Sequence, residues 1–334
     1  MLDAFSTTFG NTVTLLIKSF RLSSLFPALC FVLVHCLIFI SSVEKNLPAW
    51  LKDGGLGLPI LTIFLLTAFI GYILNYLNYP LIYLAEGYPF RDTPWGELMR
   101  WWYRCQRDKL ERQARIEGSE ESFYKDKLSD HFPPNPTRCA PTDLGNVTAA
   151  FEAYPSHRYG IDAVYLWPRI LPVLNEQKYA VFVEREKEGF DFFINLTALS
   201  AILMMECVLI RCLLGWPVFT WVALTSGCAV FIFYQAAVWC ALNWGEAIKT
   251  AFDLYRYQLA EQMSLLPFKD KKDETRRWKA LSYFIKRYNI KCDDPDIFGA
   301  FRYPLPTGKE SQVESKKAPH EPPSEETAKE KEEE

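Results

Sequence analysis

Residues 190–242 read FDFFINLTALSAILMMECVLIRCLLGWPVFTWVALTSGCAVFIFYQAAVWCAL. Two apolar runs, Phe190–Leu214 and Val218–Leu242, flank the breaker Gly215-Trp216-Pro217. A helix needs ~20 mostly apolar residues to cross the hydrocarbon core of a bilayer, and each run meets that length. A connector this short makes the two helices an antiparallel hairpin. Upstream, about Leu22–Ser42 and about Leu56–Leu84 have the same character. The second of these exceeds the need, so a tilt or a kink at Pro80 is expected.

The expected fold class is therefore all-α: a polytopic membrane protein with four transmembrane helices. A helical cytoplasmic insert separates spans 2 and 3, and a helical extension follows span 4. The divisions are an N-terminal cytoplasmic segment (1–21), a first transmembrane hairpin (22–86), the insert (87–189), a second hairpin (190–245), cytoplasmic helices (246–306) and a charged tail (307–334). From Lys309 onward the tail holds five basic and nine acidic residues, and that composition reads as disordered. Chain averages hide this partition. With 37 basic and 40 acidic residues among 334, the whole resembles a soluble protein. The blockwise apolar content excludes a secreted disulfide scaffold, a basic nucleic-acid-binding domain and a disordered chain.

Basic residues set the orientation. Only Lys45, Lys52 and Arg211 flank one side, whereas Lys18, Arg21, Arg91, Arg100, Arg104, Arg107, Lys109, Lys178, Arg185, Lys187, Lys249 and Arg256 flank the other. The positive-inside rule then places both termini and the insert in the cytoplasm of a cell (inner) membrane. Nine cysteines form no C-x-x-C pair, so zinc, iron–sulfur and thiol-redox readings lack their spacing.

Thr93 and Pro94 mark the cap and first position of a long helix laced by four-apart charges such as Arg107 with Glu111. Thr142 or Asp143 caps a short helix expected to end near Tyr154–Pro155. Another short helix is expected over about Tyr159–Leu166, and a further one from Asn175 into span 3. Span 4 should continue as one rod until Pro267. The last helix should pack through Trp278, Leu281, Phe284 and Ile285.

No enzyme motif is present: no G-x-S-x-G, P-loop, H-E-x-x-H or dinucleotide fingerprint. The expectation is no cofactor, no metal and no catalytic residue. Intramembrane polar residues are the better lead, because each is costly in lipid unless it faces protein or water. At 100° per residue, Gly71, Asn75, Asn78, Ile82 and Glu86 share a face of span 2. Asp191, Asn195, Ile202 and Glu206 share one of span 3, and Gln235, Glu246 and Asp253 share one of span 4. If the stripes converge, Glu86, Asp191 and Glu246 form an acidic inner vestibule, with Lys18, Arg21 and Lys249 at the right depth to neutralise it. Asn75, Asn78, Asn195 and Gln235 otherwise serve as interhelical hydrogen-bonding glue. His35 sits alone in span 1. In the insert, Arg138, Asp143, Arg158, Asp162 and Arg169 fall within 32 residues and are expected to form one ion-paired cluster or a pocket.

The segments PTDLGNVTAAFEAYPSHRYGIDAVYLWPR and WGEAIKTAFDLYRYQL resemble a family of bacterial four-span integral membrane proteins to which no function is assigned. The resemblance covers about Phe20 to Ile290. It implies an inner-membrane location and a cytoplasmic helical insert, and it brings no catalytic residue. The expected function is a non-enzymatic membrane protein that self-associates. It would present its insert to a soluble cytoplasmic protein partner or signal, as scaffold, sensor or pore-forming effector. The bilayer and further copies of the chain are its expected partners, and nucleic acid is not. One alternative is an enzyme acting on a lipid-linked substrate, with Arg158, Arg169 and Asp162 holding an anionic headgroup. Another is an ion or small-solute channel.

Overall fold

The computed structural model describes residues 22–46, 57–116 and 121–286. These residues are helical and contain no strand. The N-terminal segment with Lys18 and Arg21, the loop at Lys52 and the acidic tail lie outside the described residues. The helices are α1 (Leu22–Asn46), α2 (Gly57–Ala85), α3 (Pro94–Gln113), α4 (Glu121–His131), α5 (Asp143–Tyr159), α6 (Ala163–Glu176), α7 (Tyr179–Leu214), α8 (Val218–Gln262) and α9 (Lys271–Lys286). Short 3-10 turns occupy Tyr88–Phe90 and Pro136–Arg138.

Three helices, α2, α7 and α8, are long and apolar enough to cross a membrane. In α1 the stretch that qualifies as apolar is the shorter Ser23–Ile38. Burial supports a lipid environment. Within the most apolar windows of α2, α7 and α8 only 17–22% is covered by the rest of the chain. Phe64, Leu65 and Phe69 on α2, Met205 and Leu213 on α7, and Trp221, Phe231 and Trp239 on α8 all face outward. Monomeric soluble proteins rarely expose apolar faces of this extent, so these helices suit a bilayer.

α7 and α8 pack along their length and form the spine of the molecule. α1 packs on α2 and α7, with Ala28, Leu74 and Leu199 at the seam. A larger core surrounds the other end of the spine. Leu144, Val147 and Phe151 of α5, Leu166 and Ile170 of α6, Phe190 of α7, Phe252 and Leu259 of α8, and Trp278 of α9 belong to it. Fully burying each such side chain contributes about 1.5–3 kcal/mol, so α5, α6 and α9 are fixed to the spine by apolar packing.

Local signals account for several boundaries. Thr93 caps α3 by accepting from Gly96 N–H at 3.1 Å, with Pro94 in the first turn. Thr142 caps α5 by accepting from Gly145 N–H at 3.1 Å. Three expectations are corrected. α5 does not stop at Tyr154–Pro155: it carries Pro155 inside and ends at Gly160, whose φ of 84° closes the helix in the left-handed region. α6 starts later than expected and runs through Pro168 and Pro172 to Glu176. Burial of Leu166, Ile170, Val173 and Leu174 along one face outweighs the lost backbone hydrogen bonds. On α9, Phe284 is exposed, and Trp278 and Leu281 make the buried face.

Candidate functional site

α2 ends where α5 begins, and two glycines permit the contact. A Cβ on Gly145 would lie 2.3 Å from the Glu86 carbonyl oxygen. One on Gly87, whose φ is 81°, would lie 2.7 Å from Pro141. The C-terminal end of α2 and the first turn of α5 therefore meet closely, with the Gly145 backbone against the Glu86 carbonyl. Beyond that contact a groove of about 730 Å³ opens between α2, α5, α7 and α8. α2 lends it Asn75, Asn78, Tyr79, Tyr83 and Glu86; α5 lends Thr148, Phe151 and Glu152. Thr148, Phe151 and Glu152 are three and four residues apart, hence on one helical face. Tyr88, Lys187 and Trp244 complete the lining.

Two carboxylates dominate the groove. Burial pushes the Glu86 carboxyl up to about 7; the Thr148 hydroxyl opposes that rise and the nearby Glu152 charge adds to it. Burial also raises Glu152, against the Arg138 guanidinium 4.0 Å away. Tyr88 is pushed up to about 12, first by burial and then by Glu152 and Glu86. Both carboxyls therefore take up a proton more readily than exposed carboxylates do. The aromatic side of the groove is ordered: the Tyr83 and Tyr88 rings stack at 4.9 Å and 7°. Two polar atoms in the lining, Asn78 Oδ1 and Trp244 Nε1, are buried and have no hydrogen-bond partner among the described residues.

The three expected vestibule carboxylates are not brought together. Glu86 faces Glu152 instead. Asp191 is fully buried and receives Lys187 Nζ at 2.7 Å on both oxygens. Glu246 is exposed and bonds Lys249 at 2.6 Å, while Lys249 also bonds Asp130 of α4 at 2.9 Å. The reason is helical phase. Trp244 lines the groove, and two residues further on the side chain has turned about 200° away. Lys18 and Arg21, expected to share in the neutralisation, lie outside the described residues.

The polar stripes divide between two neighbours. Asn75 and Asn78 line the groove. Asn195, fully buried, donates to the Ser23 carbonyl of α1 at 3.0 Å. Glu206 meets His35 of α1 at 2.7 Å, a pairing that reading the helices one at a time does not show. Gln235 is exposed on α8. Asp253 accepts from Tyr154 at 3.0 Å and from Tyr159 at 2.7 Å.

Arg138, Asp143, Arg158, Asp162 and Arg169 do not form one cluster. Arg138 faces Glu152. Asp143 lies beside the Tyr103 hydroxyl. Arg158 is exposed next to Tyr159. Asp162 lies 3.9 Å from Lys286. Arg169 is exposed and bonds the Tyr165 carbonyl of its own helix at 2.6 Å. α5 separates them physically: at 1.5 Å per residue, Asp143 and Arg158 stand about 22 Å apart along its axis. Glu152 sits in the same sequence block, but its importance comes from Glu86, 66 positions earlier.

A larger cavity of about 1020 Å³ lies at the far end of α8, lined by Arg158, Arg256 and Glu274 among others. Its central cation is already held: Arg256 Nε bonds Glu274 at 2.9 Å, and its guanidinium lies 4.4 Å and 4.3 Å from the Tyr159 and Tyr257 ring centres. Among the described residues, no three His, Cys, Asp or Glu side chains are grouped to hold a metal. No protein-family model, curated protein or solved structure matches the chain.

Proposed function

We propose that the chain is a non-enzymatic, four-span inner-membrane protein that couples a cytoplasmic helical insert to its membrane helices. Both termini and the insert face the cytoplasm in this reading. The observation that carries it is the lashing of α5 along α8 at three levels. Leu144 N–H donates to the Tyr234 hydroxyl at 3.2 Å. Phe151 presses on Gly245, where a Cβ would come 2.6 Å from its ring. Tyr154 and Tyr159 both donate to Asp253.

α8 is 45 residues long without a break and α7 is 36. At 1.5 Å per residue they measure about 68 Å and 54 Å, against ~30 Å of hydrocarbon. The insert docks on the surplus length and on the adjoining end of the fourth span, so a partner or signal acting on the insert acts on the spans. Self-association belongs to the same reading. Gln235 is exposed on a face that otherwise meets lipid, and a second copy relieves the cost of an amide there.

The test is Gly245→Val, which overpacks the α5–α8 contact at a typical cost of 1–3 kcal/mol. Hydrogen exchange in nanodiscs should show protection lost in α5 and also in α7 and α8 on both sides of the contact. Loss confined to α5 would make the insert a separate appendage and defeat the coupling.

A further inference from the structure

The groove at the inner end of α2 combines features with a shared ligand chemistry. It holds two partly buried carboxylates, Glu86 and Glu152, and Glu86 makes no ion pair with any described residue. Stacked tyrosines border those carboxylates, and the negative faces of aromatic rings attract cations. Asn78 Oδ1 offers an acceptor and Trp244 Nε1 a donor, both buried and without a hydrogen-bond partner among the described residues, which normally costs free energy until a partner arrives. Lys187 lies in the same lining, so both signs of charge are present.

These groups discriminate among cations. Calcium and magnesium sites gather several carboxylates around the ion, whereas the groove supplies two carboxylates beside a lysine and tyrosine rings, and no three His, Cys, Asp or Glu side chains are grouped among the described residues. An alkylammonium needs a few acceptors and aromatic faces, which are what the groove has. Position selects the source. Tyr76 and Tyr79, exposed at 68% and 77%, continue the lining outward along the apolar face of α2. An occupant with an acyl chain could keep that chain in lipid while its head enters the groove.

We propose that this groove binds the headgroup of an amine-bearing phospholipid. The ammonium sits between Glu86 and Glu152 against the tyrosines, and the phosphate lies toward Lys187. The proposal rests on the membrane placement argued above, but its readout does not depend on which way the chain is oriented.

The experiment uses the full-length protein, delipidated and rebuilt into nanodiscs of equal phosphatidylethanolamine and phosphatidylglycerol, with retained lipid identified by native mass spectrometry. The expected result is about a tenfold preference for phosphatidylethanolamine, equivalent to about 1.4 kcal/mol. The double variant Glu86→Gln, Glu152→Gln should abolish the preference, and Glu246→Gln, on another face, should keep it. If the double variant does not fold, Tyr83→Leu serves in its place and should weaken the preference several-fold. Equal retention of the two lipids by the parent overturns the proposal, as does a preference that survives in the groove variants. Displacement by an equal concentration of free ethanolamine would show a soluble-amine site and overturn the assignment to lipid. Failure here with cytoplasmic orientation intact removes the ligand and leaves the coupling reading standing.

Discussion

His35 Nε2 lies 2.7 Å from Glu206 Oε2, joining α1 to α7 across 171 positions of sequence. The other ring nitrogen, Nδ1, lies 2.8 Å from the Phe31 carbonyl oxygen. A carbonyl only accepts, so Nδ1 carries a hydrogen. The contact gives each of these polar side chains a partner from the facing helix, which is how such groups are accommodated among apolar spans.

Removing one partner of this pair should therefore be worse than removing both. His35→Phe or Glu206→Leu alone should cost about 1–2 kcal/mol, the range for interhelical hydrogen bonds in membranes. The double variant should recover most of it. Thermal unfolding in detergent measures the cycle; additive losses would show that the two side chains do not depend on each other.

Glu86 gives the stability a pH dependence of known sign. Its carboxyl sits at about 7 in the folded chain, above its ordinary value of 4.5. The folded state thus holds a proton that the unfolded state has released. The stabilising contribution is complete below about pH 4.5 and is lost as pH rises through 7. Glu152, also raised by burial, acts in the same direction. Melting temperature should fall from pH 5 to pH 8 by the equivalent of about 2 kcal/mol, and Glu86→Gln should flatten that slope. A slope unchanged in the variant would locate the titration elsewhere.

Asp191 and Glu246 were alike in sequence and should differ sharply on mutation. Lys187→Met removes the ammonium from which both oxygens of the fully buried Asp191 accept at 2.7 Å, and losing a hydrogen bond to a buried charge costs about 1.5–3 kcal/mol. Glu246→Gln alters an exposed residue and should stay within about 0.5 kcal/mol. Equal effects in urea or thermal unfolding would mean that both carboxylates share one environment.

What was legible in the sequence follows the range of the interaction. The long apolar helices, the caps at Thr93 and Thr142 and the unbroken rod of α8 depend on neighbours within a few residues. Even the charge ladder of α3 was only partly local. Arg107 bonds Glu111 at 3.0 Å, but its Nε and Nη2 reach the carbonyls of Pro133 and Pro134 at 3.3 Å and 3.0 Å, so it is buried rather than solvated. The candidate site was less legible because its members come from four helices. Helical periodicity put Asn75, Asn78 and Glu86 on one stripe, and they do line one groove. Periodicity fixes the phase within a helix but not which stripes face each other. Glu86 accordingly met Glu152 rather than Asp191, and Glu206 met His35.

Coupling between insert and spans requires a particular placement of each segment across the membrane. Reporter fusions at Met1, Lys52, Gln113, Pro217 and Glu334 test this in one series. The expected signals are inside, outside, inside, outside, inside. A cytoplasmic signal at Lys52 or Pro217, or an external one at Gln113, would contradict the four-span arrangement and the coupling built on it.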